Sequence, residues 1–257
     1  MSRGDGSSGV ALITGASRRK GIGAAVALAL AREGWDVAIT FWRAYDERMP
    51  WGGDPADVPW LCNQLAALGV KATAIEADLS LPDTAVHIFD EVERAVGPVT
   101  ALVLSHAESV DSDIMDTMVD SFDRHFAVNA RAAWLLVREY GRRFRGPHGL
   151  GRIIALTSDH VAGNLPYGAS KAALTAIILA AAKEFGHDGR GITANVIEPG
   201  PTDTGWMTNE QIAEFSRRNP QGRVGLPIDC ANLVAFLSSS KGGWINGQLL
   251  HSNGGLY

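Results

Sequence analysis

Short apolar, β-branched runs alternate with helical patterns along the whole chain. Most of these runs are continuously apolar, as in ALVL and RIIAL, which is typical of strands covered on both faces. The alternation predicts an α/β fold, a doubly wound parallel sheet of about seven strands with helices on both faces. The predicted strands are 9–14, 36–41, 71–76, 99–104, 151–157, 191–197 and 246–250. The predicted helices lie near 22–33, 57–69, 83–96, 114–126, 127–145, 166–186 and 228–239.

The length of 257 residues suits one well-buried domain and is short for two, so residues 1–257 are predicted to form a single domain. Residues 1–8 are polar and are expected to be flexible. Two stretches interrupt the alternation, a lengthened loop at 42–56 and a polar, proline-bearing region at 199–226. Long loops at the carboxyl ends of parallel strands usually surround the ligand, so 199–226 is the expected substrate region.

Composition and charge exclude several classes of protein. A formal net charge of −5 argues against a general nucleic-acid binder, which needs a basic surface. Cys62 and Cys230 form no disulfide framework and no metal-ligand spacing, so we expect no metal site. The N-terminus lacks the apolar segment of a signal peptide, and the longest apolar stretch, 172–182, is too short to span a bilayer. We therefore expect a cytoplasmic protein with no membrane partner.

A glycine-rich turn, TGASRRKGIG, joins the first strand to the first helix. Gly15, Gly21 and Gly23 let the chain turn tightly and bring N–H groups to a pyrophosphate at the positive end of the helix. In this position the turn predicts a dinucleotide site, to which Ser17 and Ile22 also belong, against the alternative of a turn that only closes a strand–helix unit. Five residues separate Gly15 from Gly21, so the loop is longer than the usual TGxxxGxG spacing.

The second strand bears on which nicotinamide cofactor is bound. NAD enzymes place an acid at the end of this strand, where it bonds the ribose hydroxyls. Here the strand ends in Phe41 and Trp42 without a carboxylate, and Asp36 comes too early. Four cations lie in the same region: Arg18, Arg19, Lys20 and Arg43. Because guanidinium groups grip phosphate, we predict NADP(H) rather than NAD(H), although these cations also fit a solvated loop.

Tyr167 and Lys171 are four residues apart in a predicted helix, so they share one helical face. A free tyrosine has a pKa of about 10, and a neighbouring ammonium is expected to lower this pKa toward neutrality. Ser158 ends the fifth strand, where its hydroxyl can hold a substrate oxygen beside the tyrosine. Thr157 is the alternative hydroxyl, since strand alternation turns only one of the two toward the site.

Taken together, these residues resemble the short-chain dehydrogenase/reductase family. The resemblance covers roughly residues 8–255 and includes, in chain order, TGASRRKGIG, EADLS, HFAVNARAAWLL, ALTS followed by YGASK, NVIEPGPTDT, GRVGLPID and INGQLLHSNGG. It implies a Rossmann fold and hydride transfer between a nicotinamide and a ketone or secondary alcohol. The pattern is nearest to the 3-oxoacyl-acyl-carrier-protein reductases.

The resemblance also implies residue roles. Tyr167 is the general acid that protonates the carbonyl oxygen, or the base in reverse. Lys171 lowers the pKa of the tyrosine and holds the nicotinamide ribose, Ser158 orients the carbonyl, and Asn129 positions a water that relays protons. The remaining cofactor contacts implied are Asp78 and Leu79 at the adenine, and Ile197, Pro199, Gly200, Thr202 and Thr204 at the nicotinamide. As alternatives, Asn129 bonds backbone carbonyls and Asp78 caps a turn.

The sequence departs from the family pattern in several places. The segment after the fourth strand usually reads NNAG in the family, and here it is LSHA at 104–107. The fourth strand must therefore support the cofactor differently. Ser158 precedes Tyr167 by nine positions, fewer than is usual, and Asp159 and His160 of the short loop either contact substrate or anchor the loop. The aromatic residues in and near the lengthened loop are Trp42, Tyr45, Trp51 and Trp60. They either pack over the adenosine end, form an oligomer contact or clamp their own loop.

Two rival functions stay open. Enoyl reductases of the same family also carry a lengthened phosphate loop, but they place more residues between Tyr and Lys than the three found here. A non-catalytic NADP(H)-sensing protein has no need to keep Tyr167, Lys171 and Asn129. The helix 166–186 is apolar nearly all round, which suggests burial against another subunit, and the family resemblance implies a homotetramer or homodimer. We expect a small-molecule carbonyl or alcohol substrate, free or bound to an acyl carrier protein.

Overall fold

The computed structural model describes residues 9–160 and 162–256. The predicted flexible segment 1–8 lies outside them. The described chain forms one parallel seven-stranded sheet in the order β3-β2-β1-β4-β5-β6-β7, which confirms the predicted doubly wound fold. The strands are β1 (Gly9–Thr14), β2 (Trp35–Phe41), β3 (Ala72–Glu76), β4 (Val99–Leu104), β5 (Arg152–Leu156), β6 (Thr193–Glu198) and β7 (Leu249–His251).

Helices cover both faces of this sheet. They are α1 (Ile22–Arg32), α2 (Arg43–Arg48), α3 (Asp57–Ala67), α4 (Thr84–Ala95), α5 (Val119–His125), α6 (Ala132–Arg143), α7 (Leu165–His187), α8 (Asn209–Arg218) and α9 (Pro227–Ser238). A π-helical segment, Phe126–Arg131, joins α5 to α6 without the break expected between 126 and 127. The predicted helix 114–126 begins only at Val119.

Both long loops contain a helix that the sequence prediction missed. In the 42–56 segment α2 begins directly after Trp42, whose backbone is extended. In the 199–226 region α8 begins at a capping box, in which Thr208 and Gln211 satisfy each other's backbone N–H groups. Both helices are short and contribute little to the core, so no long apolar period marks them in the sequence.

Two apolar clusters hold the sheet between its helical layers. One packs α4, α6 and α7 against one face, and the other packs α1, α3 and α9 against the opposite face. Strands β1 and β4 are buried at every residue, which accounts for their continuously apolar sequences. The strand order reverses between β1 and β4, and ligands of such sheets bind at the carboxyl side of this reversal.

Helix α7 is the one helix in the described part of the chain that is long and apolar enough to cross a membrane, with a mean hydropathy of 1.4. Its inner face, however, packs into the core through Leu174, Ile178 and Ala182. Its outer face exposes small residues, Ala172 and Ala176 among them. The apolar character of α7 therefore matches that of a helix covering a sheet, and this helix brings Tyr167 and Lys171 to the carboxyl edge.

Candidate active site

The turn after β1 forms a tight cradle of backbone. Gly15 has a φ of +74°, and a Cβ at this position would lie 2.5 Å from the Cα atom of His106. At Gly23 a Cβ would lie 2.6 Å from the carbonyl oxygen of Gly15. Helix α1 follows Gly21, which has no capping side chain, so its first N–H groups are left for an anion. This cradle fits the pyrophosphate of a dinucleotide.

A cleft opens between this turn and the loop after β4, and we name it the β1–β4 cleft. Its lining includes the predicted residues Gly15, Ser17, Arg18, Gly21, Asp78 and Leu79. The Oδ1 atom of Asp78 also accepts a hydrogen bond from the N–H of Ser80 at 2.8 Å, so this residue caps its turn while facing the cleft. The predicted cofactor residues outside this lining are Arg19, Lys20, Ile22, Gly23, Arg43, Ile197, Pro199, Gly200, Thr202 and Thr204.

Of the four predicted phosphate-binding cations, the structure brings one to the cleft. Arg19 turns to α3, where its Nε atom lies 2.9 Å from Asp57. Arg43 is half-exposed and pairs with Glu76, the two side chains bonding at 3.1 and 2.6 Å. Lys20 is exposed and lies outside the cleft lining. The alternative that the four cations are loop charges therefore describes Arg19, Lys20 and Arg43. Arg18 is the one of the four that faces the cleft.

A carboxylate that the sequence prediction missed also lies in this cleft. Helix α2 buries Asp46, which is 3% exposed. Its Oδ2 atom accepts the hydroxyl of Ser17 at 2.5 Å, and its Oδ1 atom accepts the indole N–H of Trp51 at 3.1 Å. The same Oδ1 atom is 3.3 Å from the Nε atom of Arg18. The end of β2 carries no carboxylate, as the sequence indicates, but the helix after the strand brings one to the cleft.

The aromatic residues of the 42–56 segment pack over the cleft and hold the segment in place. Trp51 stacks on Trp206 of the 199–226 region, with ring centroids 4.9 Å apart and planes at 12°. The guanidinium of Arg18 lies 5.2 and 5.7 Å from these two ring centroids. At the other end of α2, the hydroxyl of Tyr45 donates to the carbonyl of Ser109 at 3.4 Å. Trp60 packs elsewhere, under Arg19.

Tyr167 and Lys171 share a face of α7, as their spacing predicts. The Nζ atom of Lys171 is 5.7 Å from the ring centroid of Tyr167. It donates to the carbonyl oxygen of Leu156, the last residue of β5, at 2.9 Å and to that of His106, in the loop after β4, at 3.3 Å. Lys171 is 2% exposed, and this burial lowers the pKa of its ammonium to about 8. The ammonium is therefore fixed by two strand-end carbonyls beneath the tyrosine.

The pKa of Tyr167 moves opposite to the sequence prediction. Burial raises this pKa to about 12, and the negative charge of Glu198 adds to the rise. A hydrogen bond with Ser158 opposes the rise in this pKa, but burial outweighs it. The expected lowering by the ammonium was therefore wrong for this chain by itself. A phenol with this pKa is protonated at neutral pH, which suits a proton donor.

Strand alternation turns Ser158, and not Thr157, toward the tyrosine. The Thr157 hydroxyl points into α7, donating to the carbonyl of Lys171 at 3.1 Å and lying 2.9 Å from the Thr175 hydroxyl. The Ser158 hydroxyl bonds Tyr167 and accepts the N–H of His160 at 3.1 Å. The short loop therefore still brings serine and tyrosine together, and the backbone of His160 anchors it.

Asn129 lies at the π-helical segment and is fully buried. Its side chain accepts the N–H of Glu108 and donates to the carbonyl of Glu108, each at 2.8 Å. It also donates to the hydroxyl of Ser170 at 2.9 Å. The amide thus ties the loop after β4 to α7, rather than bonding carbonyls of its own helix.

His106 supports this loop, in the segment that replaces the family's usual NNAG. Its Nε2 atom lies 3.1 Å from the carbonyl of Val128, and its Nδ1 atom lies 2.6 Å from the Thr14 hydroxyl. A carbonyl only accepts, so Nε2 carries the proton and Nδ1 accepts from threonine. Burial and the charge of Lys171 lower the pKa of His106 to about 3, so the ring is neutral. No sequence pattern marked this role.

The predicted nicotinamide residues lie at the end of β6. Ile197 is fully buried in the sheet, and Gly200, at a φ of +64°, follows Pro199 in a turn. The Glu198 carboxylate accepts the N–H of Gly200 at 2.7 Å and so fixes this turn. The hydroxyl of Thr202 donates to the carbonyl of Gly200 at 3.0 Å, and the N–H of Thr204 donates to the carbonyl of Thr202 at 2.8 Å. Among the described residues no cluster of three His, Cys, Asp or Glu side chains is placed to hold a metal.

Comparison with known proteins gives the family. A family model described as Enoyl-(Acyl carrier protein) reductase matches residues 15–257. An uncharacterized oxidoreductase, YjdA of Bacillus subtilis (strain 168), is 36% identical over 251 residues, which cover 96% of each chain. NADPH-dependent aldehyde reductase 2, chloroplastic, of Arabidopsis thaliana is 36% identical over 262 residues, covering 96% of this chain and 93% of that protein.

Solved structures give the same result. A short chain dehydrogenase from Burkholderia cenocepacia J2315 in complex with NADP superposes with a TM-score of 0.86, at 33% identity over 97% of this chain and 98% of that one. A blue fluorescent protein from a metagenomic library in complex with NADPH gives a TM-score of 0.86 at 32% identity, with the same coverage. By sequence and by structure, the chain belongs to the short-chain dehydrogenase/reductase family of oxidoreductases.

Proposed function

We propose that the chain is an NADP(H)-dependent carbonyl reductase that interconverts a ketone or aldehyde and its alcohol, with Tyr167 as the proton donor. The observation that carries the proposal is a protonated, partly buried tyrosine hydroxyl beside Ser158 and above the fixed ammonium of Lys171. Support for NADP(H) comes from similar proteins, a Burkholderia structure in complex with NADP and Arabidopsis reductases named NADPH-dependent.

The proposal assigns the cofactor contacts to residues already placed around the β1–β4 cleft. Gly15, Gly21 and the start of α1 hold the pyrophosphate, and Arg18 is the cation available to the 2′-phosphate. Asp78 and Leu79 face the adenine side of this cleft. The residues proposed for the nicotinamide side are Ile197, Pro199, Gly200, Thr202 and Thr204. When bound, NADPH supplies the hydride.

The chain's own residues supply the proton chemistry. The hydroxyls of Ser158 and Tyr167 together bind the carbonyl oxygen and polarise it. Tyr167 then donates its proton to that oxygen, and the ammonium of Lys171 stabilises the phenolate that remains. The side chain of Asn129 acts as a positioning residue, since its amide holds the loop whose His106 carbonyl binds Lys171. Any relay of protons beyond Lys171 runs through water.

A second candidate is enoyl reduction, and the description of the matching family model favours it. Against it, three residues separate Tyr167 and Lys171, and Ser158 bonds the tyrosine hydroxyl as a carbonyl site requires. A non-catalytic NADP(H) sensor is the third candidate. It gives no reason for a buried ammonium held beneath a protonated tyrosine.

The function is tested by steady-state oxidation of NADPH and of NADH with a panel of aliphatic aldehydes, aromatic aldehydes, β-keto esters and diketones. We expect turnover with at least one of these carbonyl classes and a higher kcat/KM with NADPH than with NADH. NADPH binding without turnover over the whole panel supports the sensor instead. A thioester of a β-keto acid, added to the panel, tests whether the substrate is carried on an acyl carrier protein.

Replacing Ser158 with Ala is expected to lower kcat by about 10-fold to 100-fold, because the carbonyl oxygen loses one of its two hydroxyl donors. The matched control is Thr157→Val. In wild type the Thr157 hydroxyl bonds α7 and does not face the site. Thr157→Val should therefore lower the melting temperature and leave kcat near that of wild type. Steady-state kcat and the melting temperature of both variants check this. A loss of kcat in the Thr157 variant alone contradicts the assignment.

We also propose that the chain assembles, as one domain per subunit, into a cytoplasmic homotetramer or homodimer through α6 and α7. Trp134 of α6 is 46% exposed, and Ala172, Ala176 and Ala180 are exposed along α7. Small residues on adjoining helices let two copies approach closely, and an exposed tryptophan is typical of an interface. Sedimentation velocity at micromolar concentration tests this, and a monomer contradicts it.

A further inference from the structure

Two groups in the β1–β4 cleft are placed to bind an anion, the Ser17 hydroxyl and the Arg18 guanidinium. Both already contact a carboxylate of the chain itself. Asp46 accepts the hydroxyl of Ser17 at 2.5 Å and lies 3.3 Å from the Nε atom of Arg18. A hydroxyl beside a guanidinium is a donor pair suited to a phosphate monoester. Asp46 therefore occupies the anion subsite formed by Ser17 and Arg18.

Asp46 is held in this subsite by further contacts. The indole N–H of Trp51 donates to its Oδ1 atom at 3.1 Å, and Trp51 is in turn stacked on Trp206. The carboxylate is 3% exposed, so water screens its charge poorly. A second anion cannot share Ser17 and Arg18 with this carboxylate without strong repulsion between the like charges.

Two of the neighbouring predicted cations are held by other carboxylates, whereas Lys20 is exposed. Arg19 pairs with Asp57, Arg43 pairs with Glu76, and both pairs lie outside the cleft lining. Arg18 is the predicted cation that lines this subsite, so the charge opposite it bears directly on how well a phosphate binds here.

We propose that Asp46 is a specificity-determining residue, whose carboxylate occupies the Ser17–Arg18 subsite and competes with the 2′-phosphate of NADP(H). This proposal rests on the NADP(H) function proposed above. The competition weakens NADP(H) relative to a cofactor without that phosphate. Asp46 thereby sets how strongly the chain prefers NADP(H) over NAD(H).

The test is Asp46→Asn, which removes the charge but keeps the size of the side chain, with an oxygen to accept from Trp51 and an NH2 group that can donate to the Ser17 hydroxyl oxygen. The Kd values of NADPH and NADH are measured by titration, following nicotinamide fluorescence. We expect the Kd of NADPH to fall about tenfold, as expected when one close charge is removed from a phosphate subsite. The Kd of NADH should stay nearly unchanged. An unchanged or higher Kd for NADPH overturns the proposal, as does a weakening of NADH that shows Asp46 bonding the ribose instead.

Asp57→Asn is the matched control. It removes the carboxylate that pairs with the neighbouring Arg19 and that acts on Arg18 more weakly than Asp46 does, so the ratio of the two Kd values should shift much less than in the Asp46 variant. A shift of this ratio as large as that in the Asp46 variant overturns the proposal, because a general change in loop charge then explains both.

A second variant covers the case in which Asp46→Asn does not fold. Trp51→Phe keeps an aromatic ring on Trp206 but removes the N–H that holds Asp46, so NADPH should bind tighter by a smaller factor. An unchanged Kd for NADPH in this variant counts against the proposal. Cofactor binding by wild type distinguishes a failure of the proposed function from a failure of the role of Asp46. If wild type binds neither cofactor, the proposed function fails. If NADPH binds and the variants leave its Kd unchanged, only the role of Asp46 fails.

Discussion

Replacing Tyr167 with Phe is expected to lower kcat for carbonyl reduction by about a thousandfold, the range of general acid catalysis. The variant loses the only proton donor proposed for the substrate oxygen. It keeps the ring that packs 5.7 Å from the Nζ atom of Lys171. The Kd of NADPH, measured by nicotinamide fluorescence, should therefore stay close to that of wild type.

Tyr140→Phe is the matched control for this prediction. The Tyr140 hydroxyl is fully buried, donating to the carbonyl of Thr100 at 2.6 Å and accepting the N–H of Arg152 at 3.1 Å. Its loss should cost about 1–3 kcal/mol of unfolding free energy and leave kcat near wild type. Turnover by the Tyr167 variant at the rate of wild type contradicts the proposed role.

The second large effect is expected for Lys171→Met, with a fall in kcat of about a hundredfold or more. Methionine keeps an unbranched apolar stem in the buried site but removes the ammonium. The hydrogen bonds to the carbonyls of Leu156 and His106 are then lost, and no charge stabilises the Tyr167 phenolate. Steady-state kinetics with the best carbonyl substrate checks this value.

The same lysine predicts a pH dependence of opposite sign for activity and stability. In the folded chain its pKa is lowered to about 8, from an ordinary value of 10.5. The ammonium is present below about pH 8 and is lost above it, so kcat for reduction should fall as pH rises through this value. Between the two pKa values the unfolded chain binds more protons, so the contribution of Lys171 to stability rises with pH.

Two measurements separate these effects. The pH–rate profile of wild type should show a fall in kcat at alkaline pH, near pH 8. The residual kcat of Lys171→Met should not show this fall. Denaturant unfolding from about pH 8 to 10 should show wild type gaining stability relative to this variant. An alkaline limb that persists unchanged in the variant assigns the titration to another group and contradicts the account.

The general plan of the fold follows from local patterns in the sequence. Continuously apolar runs mark the buried strands β1 and β4, and alternating helices fix a parallel sheet. The spacing of Tyr167 and Lys171 places both on one face of α7, and strand alternation separates Ser158 from Thr157. These relations depend on residues close together in the chain, which is why periodicity predicts them.

What the sequence did not predict depends on tertiary contacts. The orientation of α2 brings Asp46 to Ser17, and the partners of Arg19 and Arg43 come from α3 and β3. The predicted direction of the Tyr167 pKa shift was wrong because burial outweighs a nearby charge. Burial is known only once the loops are placed. His106 had no motif, since its partners come from β1 and the π-helical segment.

The central claim, carbonyl reduction with Tyr167 as the acid, is tested most directly with NADPH deuterated at the transferring position and an α,β-unsaturated ketone that the enzyme turns over. This substrate accepts hydride at either of two carbons, and mass spectrometry with NMR locates the deuterium. The account predicts deuterium on the former carbonyl carbon of an allylic alcohol, with Tyr167→Phe forming almost none. Deuterium on the β-carbon of a saturated ketone would contradict it and assign the chain to enoyl reduction.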